Sequence, residues 1–85
     1  MSKYHRTNSH EYWHDENEEY HRIGGPAIIT LDGKHEEWAY HGKLHRLDGP
    51  ALVDDIFQRW FIMGKEYSEE NHKLMAFLYK DKVDT

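Results

Sequence analysis

The feature that most restricts this chain is that it repeats itself. Residues 21–44 read HRIGGPAIITLDGKHEEWAYHGKL and residues 45–66 read HRLDGPALVDDIFQRWFIMGKE. His21-Arg22 recurs as His45-Arg46, Gly25-Pro26-Ala27 as Gly49-Pro50-Ala51, Trp38 as Trp60, and Gly42-Lys43 as Gly64-Lys65. A unit this short cannot bury a hydrophobic face alone, whereas stacked copies can. The His and Pro pairs stand 24 positions apart and the Trp and Gly pairs 22. The second unit is therefore shorter between its Pro and its Trp, where LDGKH faces DDIF, so the shortening falls in a turn. A partial copy precedes both: Trp13 stands before Asn17 at the spacing of Trp38 before Gly42 and Trp60 before Gly64. Asn follows Gly in tolerating a left-handed backbone. Residues 10–20 read as the second half of a unit whose first half is degenerate, and residues 1–9 as its remnant or a loose arm.

Each unit reads as a hairpin. Residues 26–31 (PAIITL) and 50–54 (PALVD) have strand composition, and Asp32-Gly33 is a hairpin-turn signal. Residues 36–41 and 58–63 alternate, so Trp38 and Tyr40, and Trp60 and Ile62, share a face that is expected to be buried. The opposite face carries Glu37, Ala39 and His41 in the first unit, which suit water. In the second it carries Arg59, Phe61 and Met63, and the two apolar residues need cover. A helix is expected to supply it. Ser68 suits an N-cap, Glu69 and Glu70 suit the positive end of the helix dipole, and Lys80 and Lys82 suit the other end. Leu74, Phe77 and Leu78 form one apolar stripe. The spacing predicts a helix over about residues 69–79 within a capping segment 68–80. The fold expected is mainly β with a C-terminal helix: a single domain over 1–85, an antiparallel meander of about 2.5 hairpin repeats capped by one α-helix.

Composition narrows the function. Aromatic residues make up 14% of the 85 residues, enough to offset chain entropy. There is no Cys, which excludes disulfide scaffolds, thiolate zinc sites and cysteine nucleophiles. The longest apolar run, Leu74-Met75-Ala76-Phe77-Leu78-Tyr79, is far short of the roughly 20 residues that span a bilayer, so no membrane association is expected. The first residues, MSKYHRTNSHEYW, lack the apolar stretch of a secretory leader. Lys and Arg number 11 against 16 Asp and Glu, a net charge of −5, which argues against phosphate-backbone binding and hence against nucleic acid. Eight His residues make that charge steeply pH-dependent below neutrality. A domain of this size is marginally stable alone, so a partner or a homo-oligomer would help it.

The string GKLHRLDGPALV, preceded by a Trp strand and a turn Gly, resembles the HRxDGPA repeats of small proteins from tailed bacteriophages and some large viruses. The broader Trp strand, x-G-K-x-x, strand pattern is similar to MORN repeats. The resemblance covers about residues 11–70; the first unit departs from it, with Gly24 where the second has Asp48. It implies a meandering β-sheet, a viral origin and an interaction scaffold, and no reaction.

Candidate chemistry is sparse. His21, Arg22, His45 and Arg46 form an anion site if the arginines act as bidentate donors. The structural alternative pairs Arg46 with Asp48 across the turn while Gly49-Pro50 resets the strand. A residue present in every unit serves the unit, which favours that alternative. His10 and His14, and His41 and His45, have the i, i+4 spacing. In a strand that spacing separates side chains by about 13 Å; His41 and His45 flank a turn and could approach each other, but they lack the spaced carboxylate or third His of a firm site. No native metal site and no cofactor are expected. Ser2, Ser9 and Ser68 have no nucleophile-elbow context, and no phosphate-binding Gly loop is present, so an enzyme is not expected. Asp15, Glu16, Glu18 and Glu19 are either a solvated turn or a docking surface for a basic protein. Tyr12, Tyr20 and Tyr40 are either partner anchors or packing within the sheet.

The function expected is a non-enzymatic, phage-encoded protein-binding module in the host cytoplasm. It would inhibit a host or bacterial-defence protein, of the anti-CRISPR or anti-restriction kind, by steric or electrostatic blocking. The alternatives are a virion or oligomeric scaffold joined through open strand edges, and a binder of a small anionic ligand through the His-Arg pairs.

Overall fold

Residues 2–80 are described by the computed structural model, and they form short strands followed by one helix. The strands are β1 (Lys3–Arg6), β2 (His10–His14), β3 (Ile28–Thr30), β4 (Glu36–Glu37), β5 (Ala39–Tyr40), β6 (Lys43–Leu44), β7 (Leu52–Val53), β8 (Gln58–Ile62) and β9 (Lys65–Tyr67), and the helix is α1 (Glu69–Tyr79). Every ladder is antiparallel. A seven-stranded sheet runs β1-β2-β3-β4-β7-β8-β9, and β5 and β6 pair with each other. The protein is thus a mainly β meander closed by a C-terminal helix. Lys3–Arg6 belongs to the sheet, in register with β2 from Lys3 opposite His14 to Arg6 opposite Glu11.

The units are joined twice by the same set of bonds. The Trp13 N–H donates to Ala27 O at 2.8 Å and the Trp38 N–H to Ala51 O at 2.7 Å. Each alanine N–H reaches across its own hairpin, Ala27 to Glu37 O and Ala51 to Arg59 O. The His21 N–H returns to Trp13 O and the His45 N–H to Trp38 O. Ala27 and Ala51 are fully buried, so the third residue of Gly-Pro-Ala is a spacer with no room for a larger side chain. Because Trp38 bonds forward to the next unit, the second strand of its hairpin is divided into β4 and β5.

The turns after each Trp strand are held from the side. His41 (φ 46°) with Gly42 (φ 84°), and Met63 (φ 49°) with Gly64 (φ 86°), are both left-handed pairs, the geometry that matches strand twist in a two-residue hairpin. His and Met are costly in that region. Their amides are pinned by imidazoles of the same unit: His21 Nδ1 accepts from the His41 N–H and His45 Nδ1 from the Met63 N–H, each at 3.0 Å.

The helix has the expected bounds but a different orientation. Ser68 Oγ accepts from the Asn71 N–H at 3.2 Å, and Glu69 and Glu70 occupy the first turn. Lys80 is the C-cap; Lys82 lies outside the described residues. The face turned to the sheet is His72, Met75, Ala76 and Tyr79, packed with Leu47, Ile62, Met63 and Tyr67. Leu74, Phe77 and Leu78, the stripe expected to face inward, are 66%, 67% and 59% exposed. The helix covers Ile62 and Met63 and not Phe61, which instead lies beneath the Arg59 guanidinium at 5.3 Å. His72 belongs on the inner face because its Nε2–H donates to Arg46 O at 2.6 Å, which satisfies a buried polar group.

Candidate binding surface

The three tryptophans are half-buried and not enclosed in a core, and two of them, Trp13 and Trp38, are lidded by arginine. Arg22 Cζ stands 3.8 Å from the Trp13 ring centre and Arg46 Cζ 3.7 Å from that of Trp38. Each guanidinium donates through Nη1 to the carbonyl of its own proline, Pro26 or Pro50, at 3.2 Å. Each also lies against a glycine: a Cβ on Gly25 would meet Arg22 Cζ at 2.7 Å and one on Gly49 would meet Arg46 Cζ at 2.8 Å. Arg46 Nε also donates to Asp48 Oδ1 at 2.8 Å. The repeated HR-x-x-GPA string is therefore a joint. Its Arg caps the tryptophan of the preceding unit, its Gly makes room for the guanidinium, and its Ala bonds that tryptophan's amide.

His21 and His45 are buried and serve the same joint. Burial pushes both imidazoles below their ordinary value; His41 beside His21, and His72 beside His45, add repulsion. A neutral ring keeps the Nδ1 lone pair that the turn amide needs. Nδ1 of His21 and His45 and the guanidinium groups of Arg22 and Arg46, nominated as an anion site, are thus engaged by the chain's own groups; the buried His45 Nε2 has no hydrogen-bond partner among the described residues.

The acidic turn divides. Asp15 is 1% exposed. Its Oδ1 accepts from the Asn17 and Glu19 N–H groups, and its Oδ2 from His41 Nδ1–H at 2.6 Å. The His41 bond foremost, with those amides, lowers the Asp15 carboxyl to about 2. Asp15 is a structural link between the partial unit and the first full unit, not a docking charge. Glu16, Glu18 and Glu19 are exposed, and Glu19 is laid against the Gly42 turn.

The tyrosines divide as well. Tyr40 is packed among imidazoles, with ring centres 5.1 Å from His21, 4.7 Å from His41 and 5.5 Å from His45. Tyr12 is half-buried, stacked on His5 at 4.9 Å and met edge-on by Tyr20 at 5.9 Å. Tyr20 is 45% exposed. Beside them His5 Nε2 and His14 Nε2 stand 2.6 Å apart. Among the described residues no group of three or more His, Asp or Glu side chains is arranged to hold a metal ion. No described helix is long and apolar enough to cross a membrane.

The sequence reading named the Leu74, Phe77 and Leu78 stripe and Trp60 but missed two things about them. The stripe faces outward, continuous with a hollow formed by Leu74, Met75, Asn71 and Tyr67. Trp60 has no arginine over it among the described residues. The signal for the second is present in the alignment of the units, because Tyr67-Ser68 follows Gly64-Lys65 where His45-Arg46 follows Gly42-Lys43. Comparison with protein-family models, with curated proteins and with solved structures finds no match for this chain.

Proposed function

We propose that this chain is a non-enzymatic protein-binding module, phage-encoded and acting in the host cytoplasm, that blocks a host or defence protein by covering part of its surface. The observation that carries this reading is the outward row Leu74, Phe77 and Leu78 on α1. A helix that turns Leu74, Phe77 and Leu78 to water, while His72, Met75, Ala76 and Tyr79 pack inside, has the form of a ridge for a partner's groove. Elsewhere on the molecule, the exposed Glu16 and Glu18 add negative charge that would favour encounter with a basic surface. The viral character rests on the HRxDGPA resemblance, and anti-CRISPR and anti-restriction roles fall within it.

The test is a tagged pull-down from bacterial lysate with light scattering on the purified chain, for wild type and for Leu74→Ser/Phe77→Ser. The expected result is one stoichiometric partner held at moderate salt by wild type and lost by the double variant. A discrete homo-oligomer with no captured protein would contradict it. That outcome would favour the scaffold reading, for which the supporting observation is β1, an exposed strand at the end of the sheet order. Lys3 and Arg6 on that strand are charges of the kind that oppose edge pairing.

A further inference from the structure

Two tryptophans of the stack carry a guanidinium, and the ladders show where a third would have to come from. Trp13 O and Trp38 O accept from the N–H of His21 and His45, and the following residue in each case is the capping arginine. Trp60 stands opposite Tyr67 in the β8–β9 pairing. Tyr67 therefore occupies the histidine position and Ser68 the arginine position. Ser68 does not cap the ring; it caps α1 through its bond to the Asn71 amide. Among the described residues no Lys or Arg stands over Trp60.

The half-buried Trp60 instead borders a cleft of about 380 Å³, with Asp48 and Gly49 of the preceding loop and Glu69, His72 and Lys73 of α1. A second hollow at the same ring carries Asp54 and Asp55. An indole among carboxylates suits a planar, delocalised, weakly hydrated cation, the group that the molecule itself places on Trp13 and Trp38. We infer that the Trp60 cleft receives an arginine side chain of a partner protein, its guanidinium stacked on Trp60 and paired with Glu69. This rests on the protein-binding reading and names the chemical group the partner contributes. Lys73 opposes any entering cation, so the slot selects by stacking and by the guanidinium's paired N–H groups more than by charge alone.

The experiment is an NMR titration of the labelled full chain with N-acetyl-arginine N-methylamide, with the lysine and citrulline counterparts as controls. The three tryptophan indole N–H signals are followed, with that of Trp60 assigned from Trp60→Phe. The expected result is a saturable, millimolar-range shift of the Trp60 signal with Trp13 and Trp38, whose slots are filled, unmoved. The lysine probe binds several-fold more weakly and citrulline does not bind. Glu69→Gln weakens the arginine probe several-fold and Lys73→Gln tightens it. No shift at Trp60, an equal response to citrulline, or equal shifts at all three indoles would overturn the inference.

The two readings fail separately. If the probe does not bind while Leu74→Ser/Phe77→Ser still costs partner capture, the slot falls and the binding module stands. If wild type captures nothing while the probe binds, the binding module falls and the slot's chemistry stands. An oligomer that Arg6→Ala dissolves, with the Trp60 signal shifting as it does, would assign the slot to a second copy and overturn a foreign partner.

Discussion

At the scale of single residues, the chain spends its polar groups on holding turns and lids. Gly49 is the clearest case. Its missing Cβ is the space in which Arg46 lies, since a methyl there would stand 2.8 Å from Cζ. Arg46 is also bonded to Pro50 O and Asp48, so it cannot simply swing aside. Gly49→Ala should destabilise by about 1–3 kcal/mol in urea unfolding, the range for overpacking. A change within the error of the extrapolation would mean that the guanidinium is not confined.

The imidazoles give a pH dependence whose sign follows from their shifts. His21 and His45 are depressed in the fold, so the unfolded chain takes up protons first. Their stabilisation is complete above the ordinary value of 6.5 and is lost as pH falls below it. His35 works in the opposite direction. Bonds to Glu37 at 2.8 Å and to Asp54 at 3.1 Å raise it, so its contribution is present below 6.5 and is lost as pH rises through its raised value. Removing that opposing group isolates the first effect. In His35→Gln the melting temperature should fall steadily from pH 7 to pH 5.5, and adding His45→Gln should flatten the slope. A melting temperature that rises on acidification in His35→Gln would contradict the neutral, amide-binding role. At lower pH the Asp15 link is lost as pH falls from 3.8 towards about 2. None of this was legible in the acidic run or the His count, because burial and partner are set by contacts between units.

At the scale of elements, periodicity identified the helix but not which way it faces. Ser68, Glu69 and Glu70 fixed its start through local chemistry that a sequence displays. Leu74, Phe77 and Leu78 do share a face, as their spacing requires. So do His72, Met75, Ala76 and Tyr79, with the same spacing, and that is the face turned inward. Hydrophobicity favoured the first row because a buried His looks costly; the carbonyl of Arg46 removes that cost. Ala76→Asp should therefore destabilise by about 3 kcal/mol, since it buries an unpaired charge against Ile62. Phe77→Ser should change stability by no more than about 0.5 kcal/mol, as an exposed substitution does. Thermal or urea unfolding of the two variants decides the point, and the reverse ranking would place the Leu74 row inside.

At the scale of the molecule, the fold is a short stack of units, 16 Å thick in its thinnest direction. Among the described residues the buried apolar ones are Ala27, Ala39, Leu47, Ala51, Phe61, Ile62 and Ala76, of which four are alanine. Such a core is thin, so stability has to come from the joints between neighbouring units, as in repeat proteins generally. The meander was legible because Trp, Gly-Lys and Gly-Pro-Ala recur at near-constant spacing. The joint was not, because Trp38 and Arg46 belong to different units and no strand or helix period relates them. The same logic explains why the last tryptophan lacks its lid: the stack ends where Ser68 starts a helix.

The most direct measurement of this account is a double-mutant cycle at the joint, with Trp38→Leu, Arg46→Met and the pair unfolded in urea. A lidded ring predicts a coupling energy of about 1 kcal/mol or more between the two sites. Single-variant effects that add to within about 0.3 kcal/mol would mean that the arginines do not hold the units together.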